Sequence, residues 1–506
     1  MAGFSPSFSG GRTINELADE IIEAILCQRK LDHTDIASFS LTCHRFRAIS
    51  LSREIWRNKF VQRWPALSDV CIDSKQKDWL DVYKLRETIH HSIQPIICKL
   101  SPLYYHLDDV SNEGFSEIQD IFTSSDIHCE FVQDELLAII YDNNKRTDLT
   151  KKYYAEKCLR FVQHYSLAKE WRRFLELPQE EQLLEHGAVL LAQWCQSTLQ
   201  ISMKEIKHKI DKLACLVHAE IKTRCPNHPV RNLQVPCKVE MTPSQGRQVL
   251  ECLNTVLYKQ QKFTGNDVNY YEKMNSYINK VLERKTGIPI SLAILYASIA
   301  SRFSVQVQTV NFPNHFLLRY KDGCTDEDYI YIDVFNQGKL LQRKECIQFE
   351  PAVGSTMSRY FNSCPPKAVF TRMVANLLRI NPHHDDNGGL RDALELYLIL
   401  CPNDIEVRLL QARVYLHLNI NLQEVVENLT RLMDHSLLIQ VNWVEFMLNE
   451  AKERLSSQAL PGHAEVQLKC REDNNEVQFS VGMIMKHKLQ NGVILMTGST
   501  QKGGIG

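Results

Sequence analysis

The run "IPISLAILYASIA", residues 288–300, carries no charged side chain and constrains the fold more than any other stretch. A bilayer span needs about 20 such residues, so this one is too short to cross a membrane. Gly287 breaks the chain before it. Pro289 suits the first turn of a helix, where its missing N–H is no loss. A helix over about 289–303 that is apolar nearly all round has no face to give to water, so it must be central and buried. The β-branched segments "VQVQTVNF", "HFLLRY" and "DYIYIDVF" follow it and read as strands. The expected class is mainly α, with an α+β domain built around this helix.

At 506 residues the chain is long enough for roughly three or four domains at ~150 residues each. A formal net charge of -1 gives no bulk attraction to nucleic acid or anionic lipid, so neither is an expected partner. The start, "MAGFSPSFSGGRT", lacks the charged opening and apolar core of a secretion signal. Sixteen cysteines are scattered without a CxxC pair. They read as reduced thiols, and the expected location is cytoplasmic, nuclear or both.

Residues 12–67 hold a dense apolar pattern. Thr13 and Glu16 have capping-box spacing, which predicts a helix start there. Ile14, Leu17, Ile21, Ile25 and Leu26 follow at helical spacing, and a second short helix is expected around Asp35–Leu41. A third stretch carries Phe46, Ile49, Leu51, Ile55, Trp56 and Phe60. So small a module leaves part of its apolar surface for a partner. The order of residues resembles an F-box: Leu17, Glu20 and Ile21, then Ile25-Leu26, then Cys43 with Arg45-Phe46, and a close at Trp56-Arg57. Ala18 stands where that family usually has proline. The resemblance implies docking on a Skp adaptor and, through it, on a cullin–RING ligase core. The residues it implicates are Leu17, Ile21, Ile22, Ile25, Leu26, Ile36, Phe39, Cys43, Phe46 and Trp56.

Residues 75–180 are rich in charged and aromatic residues at helical spacing and read as a helical spacer, clearest in the amphipathic stretch 150–177. Two helices are expected within 185–221. Cys215-x-x-His218 and Cys225-x-x-His228 supply four zinc-type ligands. Cys215 lies among Leu213, Leu216 and Val217 and reads as core, while His228 sits in a Pro-rich turn. No metal and no cofactor is therefore expected.

Residues 181–355 resemble the transglutaminase-like superfamily, in its SirB-type branch. The marks are Gly265-Asn266, Tyr270-Tyr271, Asn275-Ser276-Tyr277, Val281-Leu282, Gly287-x-Pro289-x-Ser291-Leu292, Pro313-x-His315-Phe316 and Asp333, after a helix at 187–194 typical of that branch. Active members place a cysteine at the N-terminus of the buried helix, a histidine on the next strand and an aspartate that orients it. The resemblance puts His315 and Asp333 in the last two roles and Pro289 at the nucleophile position. Proline has nothing to attack with. Ser291 is two residues on, rotated by roughly 200° around the helix. Cys324 lies in a loop from which it could reach the helix start only by an unrelated geometry. The expectation is a vestigial site with no catalytic residue; the rival is a hydrolase or acyl-transferase using the His315/Asp333 cleft.

Residues 365–452 read as amphipathic helices, and 393–429 resembles one and a half tetratricopeptide units, too few to stand alone. They are expected to pack on the preceding domain. Residues 464–506 resemble the opening strands of a YccV-like barrel, a module linked in bacteria to hemimethylated DNA. Basic and acidic residues nearly balance there, so DNA binding is not supported, and a shortened isoform or incomplete gene model with a poorly ordered end is expected. Together these resemblances imply a substrate-recognition subunit of a Skp–cullin–F-box ubiquitin ligase.

Overall fold

A computed structural model describes residues 14–68, 78–142, 148–323, 328–349, 359–380, 387–434, 441–458, 484–486 and 493–495. The chain divides into two units. One comprises residues 1–105, 114–162 and 467–506; the other comprises 106–113 and 163–466.

The first unit opens with a 3-10 turn, Ile14–Glu16, followed by α1 (Asp19–Leu26), α2 (His33–Ser40), α3 (His44–Ser50) and α4 (Arg53–Arg63). The first helix thus begins at Asp19, later than the Thr13/Glu16 spacing suggests; Thr13 itself lies outside the described residues. Ala18 is its N-cap and makes no side-chain cap bond, so Asp19 and Glu20 at the positive end of the helix dipole help to hold the start. The third apolar stretch is two helices, because Leu51 and Ser52 interrupt it. Lys59 is buried and donates from Nζ to the carbonyls of Gln28 (2.6 Å) and Leu31 (2.7 Å), satisfying acceptors just beyond α1. Arg45 donates to Asn15 O (2.7 Å), Leu17 O (2.6 Å) and Asp19 Oδ1 (2.5 Å), tying α3 to the start of α1. The helices α5 (Trp79–Tyr104), α6 (Ser116–Phe122), α7 (Asp126–Ile140) and the first half of α8 (Leu149–Glu176) complete the described helices of this unit. Arg86 is 1% exposed and pairs with Asp134 (2.7 Å) and Glu135 (2.9 Å), so its buried charge is met.

The second unit is built around one helix. After α9 (Leu184–Cys195), α10 (Met203–Arg224), α11 (Pro243–Asn254) and α12 (Ile278–Arg284) comes α13 (Pro289–Ser301), whose residues 289–300 are all buried. It packs against α9, α10, α11 and strands β3 and β4, given below, as an all-round apolar helix requires. Two-residue strands β1 (Thr264–Gly265) and β2 (Thr286–Gly287) pair in parallel just before it. The main sheet is antiparallel, ordered β3 (Val307–Val310), β4 (Leu317–Lys321), β5 (Tyr329–Asp333) and β6 (Lys339–Leu341). The first three strands fall in the expected segments; β6 does not, because three residues carry too little alternation to be seen. Arg302, just past α13, is clasped by Glu185 (2.5 and 3.0 Å) and Asp211 (3.0 Å).

The short α14 (Arg343–Cys346) follows, then α15 (Pro366–Ile380), α16 (Asn387–Leu400), α17 (Ile405–Leu418), α18 (Leu422–Asp434) and α19 (Val441–Gln458), each packed on its neighbour from α15 onward. Ala393, Leu396 and Leu400 join the core around α13, so these helices rest on the α+β core. Most of the YccV-like segment lies outside the described residues; β7 (Ile484–Lys486) and β8 (Val493–Leu495) form an antiparallel pair.

Candidate functional site

The N-terminal end of α13 is set by hydrogen bonds. Asn275 is fully buried and donates Nδ2 to Asn269 O (2.8 Å), and Asn266 donates to its Oδ1 (3.1 Å). Ser291 Oγ donates to Asn275 O (2.6 Å) and accepts from Ile288 N (3.1 Å). Ser291 is 1% exposed, and its hydroxyl serves as a helix cap. A Cβ on Gly265 would collide with the Phe335 ring, which fixes glycine there and seats Phe335 beside the cleft.

His315 lies just before β4, not on it, and Asp333 is the last residue of β5. The fold brings them together: Nε2 of His315 donates to Asp333 Oδ1 at 2.9 Å. That carboxylate oxygen also accepts from the amides of Phe335 and Asn336, both at 3.2 Å. A carboxylate held this way fixes the ring's tautomer and orientation. The imidazole also stacks on Phe349, with centroids 4.6 Å apart. Pro289 and His315 line the same cleft, of about 970 Å³. Among the described residues, no thiol or hydroxyl lies within hydrogen-bonding distance of His315. Cys346 is buried, its thiol pushed up to about 12 by burial and then by Glu345 and Asp333. Cys401 lines the cleft 3.6 Å from Thr371 Oγ1. Cys324 lies outside the described residues.

The cleft's other wall is α15, with Lys367, Thr371, Arg372, Ala375 and Arg379. None of these appears in the motif pattern. The signal available was the basic side chains of an amphipathic helix, which by itself reads as a solvated face.

The proposed zinc ligands do not converge. His218 Nε2 lies 3.0 Å from Val230 O; both ring nitrogens of His228 are engaged, with Gln245 O (3.1 Å) and Val230 N (3.2 Å). Cys215 is exposed, a correction to its reading as core: Leu213 and Val217 take the buried face. Among the described residues the one grouping of metal-type ligands is His164, Asp392 and Glu395, within 4.8 Å of one another. There His164 stacks on Trp194 (3.9 Å) and bonds Trp194 O (2.9 Å), which accounts for it as part of a packed polar network.

The ten implicated N-terminal residues separate by burial. Ile22, Leu26, Ile36, Phe46 and Trp56 are core of the module. Trp56 donates Nε1 to Ser50 O (2.7 Å), and Phe46 stacks on Phe39 (4.3 Å). They shape the module and offer little surface to a partner. Cys43 is exposed and caps α3, its Sγ accepting from Phe46 N. Leu17 and Phe39 are half-buried. The exposed apolar positions are Ile21 and Ile25 of that set, joined by Ile14, Leu41 and Leu51. Leu41 is the most exposed of these, at 87%. No described helix is long and apolar enough to cross a membrane.

Two family models match: F-box-like over residues 14–62 and transglutaminase-like superfamily over residues 204–375. F-box only protein 21 of Pongo abelii is 34% identical over 499 residues, covering 96% of this chain and 78% of that protein. Its Homo sapiens counterpart is 33% identical over 501 residues with the same coverage. A UPF0162 protein of Xylella fastidiosa is 29% identical over 176 residues, 33% of this chain and 62% of that protein. No solved structure matches.

Proposed function

Since the chain belongs to the F-box only protein 21 family, we propose that it is the substrate-recognition subunit of a Skp–cullin–F-box ubiquitin ligase. The N-terminal module grips the Skp adaptor and, through it, the cullin–RING core. The transglutaminase-like cleft holds a target without reacting with it. Ubiquitin transfer then belongs to a separate conjugating enzyme, and this chain contributes proximity, which raises effective concentration. The observation that carries the reading is the set of exposed apolar residues Ile14, Ile21, Ile25, Leu41 and Leu51 in a small module whose own core is already filled. Catalytic silence rests on Pro289 at the cleft beside His315 and on the capping role of Ser291. The described cysteines are free thiols, which fits a cytoplasmic or nuclear setting.

The test is co-purification of the full chain with recombinant Skp adaptor. Stoichiometric capture supports the reading; no capture at high micromolar concentration overturns it. The rival, a hydrolase or acyl-transferase at His315/Asp333, has the oriented imidazole in its favour but no described thiol or hydroxyl within hydrogen-bonding distance of it.

A further inference from the structure

We propose that the occupant of the Pro289/His315 cleft is an extended acidic peptide segment of the target, about six residues long, read by a cationic ladder on α15. The proposal rests on the cleft being the target-holding surface. Its first ground is charge. The described residues that line the cleft include Lys367, Arg372, Arg379 and His315, and no carboxylate. The whole chain carries a net charge of -1, so this single sign is local and not inherited from composition.

The second ground is Arg372. Its Nη1 donates to Asn311 Oδ1 (2.5 Å) and to Phe312 O (2.6 Å), both neutral acceptors. Its guanidinium also lies over the Phe316 ring, 5.6 Å from the centroid. No described carboxylate lies within ion-pair distance of it, whereas the buried Arg86, Arg302 and Arg391 each have one. Burial, with Arg379 adding like charge, holds its pKa below the ordinary arginine value. A half-buried guanidinium fixed by neutral partners is a preorganised receptor for an anion, because its fork is already oriented.

The third ground is spacing. Residues 367, 371, 375 and 379 form one i, i+4 stripe and 368, 372 and 376 the next, so these cations flank a common groove. Between them stand Thr371, Ala368 and Ala375, small enough to let a main chain lie close. At about 1.5 Å per residue the axial distances are about 7.5 Å from Lys367 to Arg372 and about 10.5 Å from Arg372 to Arg379. An extended peptide rises about 3.3 Å per residue. The whole ladder, Lys367 to Arg379, spans about 18 Å, which about six extended residues cover. Tyr271, 65% exposed, and Phe335 offer aromatic surface to the intervening side chains.

The experiment is fluorescence anisotropy on the full chain with three labelled hexapeptides: Glu-Leu-Glu-Leu-Leu-Glu, the same with Gln for Glu, and the same with Lys for Glu. Lys367→Glu and Arg379→Glu are both exposed and serve as variants that keep the fold; Arg372→Lys tests the fork. The expected result is binding of the acidic peptide at least ten times tighter than of the Gln peptide, weakened about tenfold by either charge reversal and further by 0.5 M salt. Arg372→Lys should weaken it while leaving Tm within a few degrees. Adaptor capture by all variants should equal wild type. Equal affinity for acidic and Gln peptides, or indifference to Lys367→Glu and Arg379→Glu, overturns the acidic assignment while leaving the cleft as a recognition surface. Binding of none of the peptides while inorganic phosphate protects Arg372 from chemical modification overturns the peptide occupant in favour of a small anion. Loss of adaptor capture by wild type overturns the ligase reading instead.

Discussion

Replacing Ile21 and Ile25 together with aspartate should cost adaptor binding and little else. Ile21 is 50% exposed and Ile25 39%, so the uncovered parts amount to about nine-tenths of one isoleucine. Complete burial of such a side chain is worth about 1.5–3 kcal/mol, so docking should draw about 1.3–2.7 kcal/mol from the pair. Aspartate loses that and forces an unpaired polar group into the interface, adding about 1–3 kcal/mol. The sum, about 2.3–5.7 kcal/mol, corresponds to a Kd raised by roughly 10²–10⁴-fold. Stability should change by less than about 1 kcal/mol, because both positions face water and the dipole favours an acid at 21, near the start of α1, while disfavouring one at 25, near its end. Ile22→Ala is the contrast: at 1% exposure it should lose about 2–5 kcal/mol of stability. The assay is isothermal titration against recombinant Skp adaptor, with thermal denaturation of each variant alone. Wild-type affinity in a folded Ile21→Asp/Ile25→Asp protein would refute the assignment of the exposed face.

Two further outcomes follow from the second unit. Ser291→Ala removes the bonds to Asn275 O and Ile288 N; leaving both buried should cost about 1–3 kcal/mol, read as a lower denaturant midpoint. Glu424 is pushed up to about 7, first by burial and then by Glu395. Its folded pKa lies above its unfolded one, so the folded state binds the extra proton between about 4.5 and about 7. Its contribution to stability is therefore greatest below that window and is lost as pH rises through it. Glu424→Gln should raise Tm at pH 8 and flatten the Tm profile between pH 5.5 and pH 8; an unchanged profile would contradict the shift.

The α13 helix was legible because thirteen consecutive positions without charge leave no solvent face, and the three strands because β-branched residues cluster there. The pairing of His315 with Asp333 was legible from the resemblance, not from periodicity. What sequence could not separate was Ile21 from Ile22 or Ile25 from Leu26: on so short a helix both neighbours satisfy an apolar pattern, and only packing decides which is core. Cys215 failed for the same reason, two residues from each of the buried Leu213 and Val217. Arg372 and Arg391 were invisible because a basic residue on an amphipathic helix reads as solvated, and tertiary contacts from distant segments bury them. The helix start at Asp19 differed because the Ile14–Glu16 turn intervenes.

The claim on which the rest stands is that this molecule holds and does not react. The direct measurement is turnover of the purified chain on acyl-transfer and peptidase substrates, wild type beside His315→Ala and Cys401→Ala. The account predicts no turnover above background in any of them, with the same trace for all three. Turnover in wild type that His315→Ala abolishes would contradict it.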